Sequence, residues 1–235
     1  MTDNSPKAVY LRMLDAWNDG TPETYGSTRF LDYYADDAVI EMTAMDNNAV
    51  VTRAAPLKDG EIKASIVAEH GFSALVKVTA EGKTRTMLFD FGFSENGAAQ
   101  NAQTLGLDLK DVEAVALSHG HSDHTGGMVK LTAMIGRTGL PLVVHPAAFQ
   151  SPRYLKFGEE FKIYFPKFTR DMVREAGLSV IEADLPYSML DGNVLFLGGI
   201  PHTTDFEKGW PLPHYQKDGK ESWDPIEDDS SIVMN

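Results

Sequence analysis

The stretch of this sequence best suited to chemistry is LSHGHSDHTGG, residues 117–127, which contains three of the chain's seven histidines and one aspartate. His119, His121 and Asp123 occupy alternate positions, so in an extended loop their side chains project to one side. His124 follows directly. Divalent zinc, iron and manganese all accept neutral imidazole and carboxylate ligands. Because the chain has no cysteine, this stretch predicts a metal site without thiolates, for zinc first and iron or manganese otherwise.

Two regular elements flank this stretch and would hold it in place. DVEAVALS, residues 111–118, is a short apolar run typical of a buried strand. After the stretch, apolar residues recur at helical spacing from Met128 to Ile135. A helix is therefore expected to begin near Thr125 and to end by Gly139. Functional residues concentrate at junctions of this kind.

From Val39 onward the sequence alternates strands, loops and helical segments. VIEMTAM predicts a strand, and FSALVKVTAEGKTRTMLFDFG predicts a hairpin that turns at Glu81 and Gly82. LPLVVHP and NVLFLGGI predict two more strands, whereas residues 150–177 predict a loop-rich insertion with a short helix at its end. This alternation predicts an α/β or α+β class with mixed sheets.

The first 38 residues are expected to form a helical extension. SPKAVYLRMLDAWNDG has Ser5 as an N-cap, a proline in the first turn, an apolar face and Gly20 as a stop. The predicted organisation is an N-terminal helical extension over residues 1–38 and one larger domain over residues 39–235.

The composition narrows the partners that the protein can have. The net charge is −13 and the sequence pI is about 4.9, so the protein's field repels nucleic acid and acidic membrane faces. The N-terminus has neither the basic region nor the apolar run of a secretory signal, and no segment reaches the roughly 20 apolar residues of a membrane span. We therefore expect a cytoplasmic protein with a small-molecule substrate, no nucleic-acid partner and no membrane association.

The pattern H-x-H-x-D-H after a buried strand resembles the signature of the metallo-β-lactamase superfamily, and LFDFG resembles its earlier Asp-x-Gly strand end. More narrowly, AEHGFSALVKV, LSHGHSDHTGGM, GGIPHTTDFE and DPIEDDSSIVMN are similar to the branch of dihydropterin ribofuranosyl-aminobenzene phosphate synthase-like proteins. The resemblance covers residues 39–235. It implies a four-layer αββα sandwich with one or two divalent metal ions at a sheet edge.

The resemblance also implies a role for each motif residue. His119 and His121 would hold the first metal ion, and Asp123 and His124 the second, with Asp123 also acting in catalysis. Asp90 would be a carboxylate that orders the loop behind the ligands. A metal-activated water would then attack an ester, a thioester or a phosphate-bearing small metabolite.

The sequence departs from the superfamily pattern at its end. The branch continues with another core strand and a Gly-Cys-x-His turn beyond the point where this chain stops at SSIVMN. We therefore expect this chain to form the N-terminal half of the sandwich. We expect it to act as a hydrolase together with a complementing C-terminal half or as a homo-oligomer. The alternative is a truncated, catalytically silent metal-binding or interaction fragment.

Outside the motif, several histidines and acidic residues have open roles. His202 is a candidate substrate-binding residue, with metal ligation and a plain surface position as alternatives. His145 is expected to be structural and His214 to lie in a solvated loop. The acidic pair Asp228 and Asp229 is expected to form a solvated face, with a supporting role near the site as the alternative.

Overall fold

The computed structural model describes residues 39–46, 57–58, 61–62, 66–204 and 209–234. The predicted helical extension over residues 1–38 lies outside these described residues. Within the described ranges, none of the helices is both long enough and apolar enough to cross a membrane.

The described residues form fifteen strands and four α-helices, numbered here along the chain. The strands are β1 (Val39–Asp46), β2 (Leu57–Lys58), β3 (Glu61–Ile62), β4 (Ser73–Ala80), β5 (Lys83–Phe89), β6 (Ala114–Ala116), β7 (Leu140–Val144), β8 (Arg153–Phe157), β9 (Phe161–Tyr164), β10 (Leu178–Glu182), β11 (Tyr187–Met189), β12 (Val194–Phe196), β13 (Pro213–Lys217), β14 (Lys220–Trp223) and β15 (Ile232–Met234). The helices are α1 (Gly97–Thr104), α2 (Ser122–Thr125), α3 (Met128–Ile135) and α4 (Arg170–Glu175).

A six-stranded mixed sheet in the order β1-β4-β5-β6-β7-β10 forms the centre of the molecule. β4 pairs antiparallel with both β1 and β5, whereas β5, β6, β7 and β10 run parallel to one another. The predicted hairpin of β4 and β5 is confirmed. Its turn residues Glu81 and Gly82 have φ values of 52° and 71°, and a tight two-residue turn with the twist of the strands needs positive φ at both positions.

The parallel strands bring the candidate residues to one edge of this sheet. β5 is followed by Asp90, β6 by the loop that carries His119, and β7 by His145. Parallel strands end at the same edge, so these three chain regions meet there although they are distant in sequence. β6 is confirmed as the predicted buried strand, with all three of its residues buried.

Three of the helices, α1, α3 and α4, cover one face of the central sheet. The apolar face of α3, formed by Met128, Leu131 and Ile135, packs into a core shared with α1 and α4. The predicted helix is confirmed as α3, but its predicted start near Thr125 is wrong. The motif residues form their own short helix, α2, and α3 ends at Ile135 because Gly136 adopts a left-handed conformation with φ of 71°.

A three-stranded sheet in the order β11-β12-β15 covers the opposite face of the central sheet. Met189, Val194 and Phe196 of this small sheet pack against Val76 and Met87 of the central one. The predicted strand in NVLFLGGI is confirmed as β12, and the apolar end of the sequence pairs with it as β15. The described residues therefore form a layered α/β structure of helices, a central sheet and a second sheet, as predicted.

The prediction of a loop-rich insertion over residues 150–177 is wrong, apart from the short helix α4. The segment contains β8 and β9, which lie in a four-stranded antiparallel sheet in the order β14-β13-β8-β9. β8 and β9 form a short hairpin, and β13, which lies far along the chain, pairs with β8 on its other side. His214, expected in a solvated loop, lies in β13 and stacks on the ring of Tyr154.

Candidate metal centre

The loop after β6 and the helix α2 that follows it bring together three of the four motif residues. Ring nitrogens of His119 and His124 and a carboxylate oxygen of Asp123 lie within 4.8 Å of one another. The chain is still extended at His121, with φ of −74° and ψ of 155°, and turns into α2 at Ser122. Asp123 and His124 therefore lie side by side on one helical turn, facing the ring of His119, whose centroid is 4.1 Å from that of His124.

His121 lies beside this group rather than within it. Its ring centroid is 4.8 Å from that of His119 and 5.1 Å from that of Phe165, and its Nε2 is 3.4 Å from Oδ2 of Asp224. The expected alternation of side chains ends at Ser122, because the helical turn replaces the two-residue period of an extended chain. The ligand role of His121 stays a prediction.

The three converging side chains have shifted pKa values. Burial, together with the neighbouring His124 and His121, lowers the pKa of His119 to about 3. Burial would also lower the pKa of His124, but hydrogen bonds with Asp123 and Asp90 outweigh burial and raise it to about 10. Burial would raise the pKa of Asp123, whereas the hydrogen bond with His124 holds it at about 2. At neutral pH His119 is thus a neutral imidazole beside an ionised carboxylate.

Asp90 ties the ends of β5 and β6 together. Its carboxylate is fully buried and accepts hydrogen bonds from the backbone N–H of Ser118 at 2.6 Å and from the Ser118 hydroxyl at 2.7 Å. It also accepts one from Nδ1 of His124 at 2.7 Å. Asp90 itself has a φ of 60°, a left-handed conformation that aspartate tolerates better than most residues. This geometry fits the predicted role of a carboxylate that orders the loop.

A buried ion network lies behind the loop. Nη2 and Nη1 of Arg153 bind the two carboxylate oxygens of Asp228 at 2.5 and 3.0 Å, and Nε of Arg153 lies 3.0 Å from Oδ2 of Asp224. Asp228 also accepts the backbone N–H of Gly120 at 2.6 Å. All three charged side chains are buried. The expectation that Asp228 belongs to a solvated face is therefore wrong, because the following chain, through β15, folds it into the core beneath the loop.

The charges of this network stabilise one another. Burial would raise the pKa of Asp228, but the hydrogen bonds from Arg153 outweigh it and lower the pKa to about 2. Burial would lower the pKa of Arg153, but the hydrogen bonds with Asp228 and its charge raise it above its ordinary value. The network therefore carries one positive and one firmly negative group next to the loop.

The remaining candidate histidines lie around the site with different partners. Nε2 of His202 is 3.4 Å from Oδ2 of Asp229; this residue does not join the group of three, and its substrate role stays a prediction. His145 is buried, and its Nδ1 accepts the backbone N–H of Ala147 at 3.2 Å, which caps a 3-10 turn. This contact confirms the structural role expected for His145. Nε2 of His70 is 3.3 Å from a carboxylate oxygen of Asp123.

A cavity of about 370 Å³ opens beside Asp123 and His121. Its walls are mainly apolar and include Phe93, Phe165 and Ile226. Ile226 has a φ of 57°, which is a strained conformation for a β-branched residue. The cavity places an apolar space directly against the polar group of three.

The family model of the metallo-beta-lactamase superfamily matches residues 68–205, which is more than half of the chain. The chain belongs to the metallo-beta-lactamase superfamily. The predicted family is thereby confirmed, and the matched region contains Asp90, all four motif residues and His202.

Two relatives of this superfamily member come from Methanocaldococcus jannaschii. An uncharacterized protein is 27% identical over 183 residues, which cover 75% of this chain and 64% of the relative. The 7,8-dihydropterin-6-methyl-4-(beta-D-ribofuranosyl)-aminobenzene-5'-phosphate synthase is 26% identical over 174 residues, which cover 71% of this chain and 57% of the relative. The chain thus spans less than two thirds of the length of either relative. The predicted resemblance to this branch is confirmed.

A solved structure shows the same fold. The crystal structure of a metal-dependent hydrolase of the beta-lactamase superfamily aligns with a TM-score of 0.55 and 21% identity, covering 83% of this chain and 61% of the other. The layered α/β arrangement is therefore that of the superfamily.

Two buried charged residues of this superfamily member were missed by the sequence analysis. Arg153 begins a short strand of mixed aromatic and basic residues, RYLKF, and Asp224 follows the exposed strand β14. Neither has a local pattern that indicates burial, because both are buried by contacts between distant parts of the chain. The only local signal was the density of acidic residues around Asp228.

Proposed function

We propose that this chain binds a divalent metal ion through His119, Asp123 and His124 and catalyses metal-dependent hydrolysis of a small metabolite. The observation that supports this proposal is the convergence of these three side chains at the carboxyl edge of the parallel strands, within 4.8 Å of one another. The proposed substrate carries an ester, a thioester or a phosphate group, and the proposed metal is zinc, with iron or manganese compatible.

The donor set fits such an ion. Two imidazoles and one carboxylate are a ligand set that catalytic zinc uses, with a further position left for water or substrate. The lowered pKa of His119 keeps its ring neutral and its lone pair available. His124 donates Nδ1–H to Asp90 and faces Asp123 through Nε2, and a carboxylate on the outer nitrogen is the usual support of a metal-binding histidine. Its pKa of about 10 keeps this ring protonated without the ion, so binding of the ion would release the Nε2 proton. When bound, the ion would lower the pKa of a water molecule and polarise the scissile bond.

Three residues at or next to the proposed metal site would have separate roles in the reaction. Asp123 is ionised and lines the cavity, where its carboxylate can accept a proton from the attacking water. His70 reaches Asp123 from the loop before β4 and orients that carboxylate. Asp90 fixes the ring of His124 through its hydrogen bond to Nδ1.

The cavity supports a substrate with an apolar part. Among the described residues that line it, Asp123 is the one with a permanent charge, and none of them is a lysine or an arginine. A phosphate or carboxylate of the substrate would therefore lie at the metal centre rather than in the cavity, where Phe93, Phe165 and Trp210 suit a neutral aromatic or aliphatic group. The net charge of −13 supports a small molecule over nucleic acid or an acidic membrane.

A second candidate is group transfer to an acceptor other than water. It is favoured by one observation, the similarity to a relative named as a synthase. The same metal centre would serve either reaction. A catalytically silent metal-binding chain is the third outcome that the experiment distinguishes.

The test measures bound metal and turnover on the same preparation. The full chain is loaded with Zn²⁺, Fe²⁺ or Mn²⁺ and assayed on an aryl phosphodiester and an acyl thioester. We expect at least one metal ion per chain and turnover that the double variant His119→Ala, His124→Ala abolishes. His214→Asn, in β13 and outside the group of three, is the control and should keep metal and activity. Metal without turnover would contradict hydrolysis, and wild-type metal content in the double variant would contradict the site itself.

A further inference from the structure

Three buried charged residues lie behind the metal-binding loop, and neither the group of three ligands nor the cavity accounts for them. Arg153 lies between Asp224 and Asp228, and each carboxylate reaches a different part of the loop. We infer that Arg153, Asp224 and Asp228 form a clamp that positions the loop for metal binding, in which Asp224 selects the tautomer of His121. The inference rests on the proposed metal site and goes beyond it.

Asp228 holds the backbone of the loop. Its Oδ2 accepts the N–H of Gly120 at 2.6 Å, and Gly120 lies between His119 and His121. On its other side the Cα of Gly120 packs on backbone, since a Cβ there would lie 2.2 Å from the carbonyl oxygen of Ala148. The loop is therefore held from two sides at the one residue that separates its two histidines.

Asp224 controls the side chain of His121. Its carboxylate is buried and lies 3.4 Å from Nε2 of the ring. An ionised carboxylate can only accept hydrogen bonds, so this contact requires the proton of a neutral ring to be on Nε2. Nδ1 then keeps its lone pair, which is the form that can bind a metal ion. Asp224 therefore makes His121, already 4.8 Å from the ring of His119, available as a further ligand through Nδ1.

Arg153 makes the two carboxylates compatible with burial. Two buried negative groups without a cation would be costly in free energy, whereas a bidentate arginine satisfies one carboxylate and balances one of the two negative charges. Nη2 of Arg153 also donates to the carbonyl oxygen of Ala147 at 3.3 Å. The same guanidinium thus joins the clamp to the 3-10 turn that follows β7.

The experiment compares Asp224→Ala with a control variant in β14, the strand that precedes Asp224. Glu221→Gln weakens ion pairs with Lys156 and Lys162 and so perturbs that sheet without touching the loop. For each full-length protein we would measure Zn²⁺ affinity by competition with a chelating indicator, the free energy of unfolding in chelator, and the tautomer of His121 by nitrogen-15 NMR in the metal-free state. We expect Asp224→Ala to weaken Zn²⁺ binding about tenfold or more and to release His121 from the Nε2–H tautomer.

Two further results decide the inference. Asp224→Asn presents a carbonyl oxygen to Nε2 and should restore the tautomer and part of the affinity, which a merely structural role does not predict. The clamp is overturned if Asp224→Ala retains the wild-type tautomer and affinity, or if Glu221→Gln weakens Zn²⁺ binding equally. A wild-type chain that binds no Zn²⁺ would contradict the proposed function, while the tautomer of its His121 would still test the clamp.

Discussion

At the scale of single residues, Asp90 combines a buried carboxylate with a left-handed backbone conformation. Its buried carboxylate accepts three hydrogen bonds, so its removal leaves the N–H of Ser118 buried without a partner. Asp90→Ala should lower the free energy of unfolding by about 3 kcal/mol and weaken metal binding about tenfold. Urea unfolding in chelator and Zn²⁺ competition would measure the two effects.

The matched variant for this position is Asp90→Asn. Asparagine tolerates the φ of 60° and keeps one acceptor oxygen, so it should cost about half as much stability as alanine. Equal stability of the alanine variant and the wild type would show that the three hydrogen bonds do not hold the loop.

Gly120 gives a second prediction at this scale. A Cβ at this position would lie 2.2 Å from the carbonyl oxygen of Ala148, which is backbone and cannot rotate away. Gly120→Ala should therefore displace the loop, destabilise the protein by about 3 kcal/mol and abolish tight metal binding. The measurements are thermal unfolding and metal content.

Gly219→Ala is the control for Gly120→Ala. Gly219 has a φ of 73° in the turn between β13 and β14, with no atom within 4 Å of a Cβ. Gly219→Ala should lower the free energy of unfolding only by the backbone strain of about 1 kcal/mol and leave the metal content unchanged. A larger loss of stability in this control than in Gly120→Ala would argue against a steric role for Gly120.

At the scale of elements, apolar patterns predicted six of the nine strands in the two packed sheets, all except β10, β11 and β15, because burial on one or both faces imposes a pattern on the sequence itself. The hairpin of β4 and β5 and the buried strand β6 are examples. β8 and β9 were missed because their exposed aromatic residues, such as Phe161 and Tyr164, give no one-sided pattern. The site was predicted in part for a similar reason. Its motif residues are neighbours in sequence and form a local pattern, whereas Arg153 and Asp224 reach the loop only through the tertiary fold.

The cavity between these elements gives a prediction about the substrate. Phe165 lines it and contacts the ring of His121, while the adjacent Tyr164 is 57% exposed and is not among its lining residues. Phe165→Ala should raise KM for a naphthyl ester about tenfold with little change in kcat, because an apolar contact of this kind binds substrate and transition state alike. KM for the methyl ester of the same acid should change little.

Tyr164→Ala is the control for this prediction and should leave both substrates unaffected. Steady-state kinetics of the two variants on the two esters would measure the effect. An equal rise in KM for the methyl ester would indicate that Phe165 supports the loop and does not contact an apolar part of the substrate.

At the scale of the whole molecule, metal binding should be linked to folding. The ligands come together only in the folded chain, so at a metal concentration 100 times Kd the free energy of unfolding should rise by about 2.7 kcal/mol. Urea unfolding with Zn²⁺ and with chelator would measure the difference. The double variant His119→Ala, His124→Ala should show none; a gain of the same size in that variant would place the stabilising ion elsewhere.

The clamp makes the metal centre depend on the order in which the chain is synthesised. Translation delivers the histidine loop more than a hundred positions before Asp224 and Asp228 (the Gly120 to Asp228 separation is 108). A nascent polypeptide that has emerged only as far as α3 carries the motif histidines and Asp90 but lacks the three residues of the clamp. If the proposed clamp holds the loop, we expect the ion to be acquired late in biogenesis, and a chain on a ribosome stalled before residue 224 should bind it weakly.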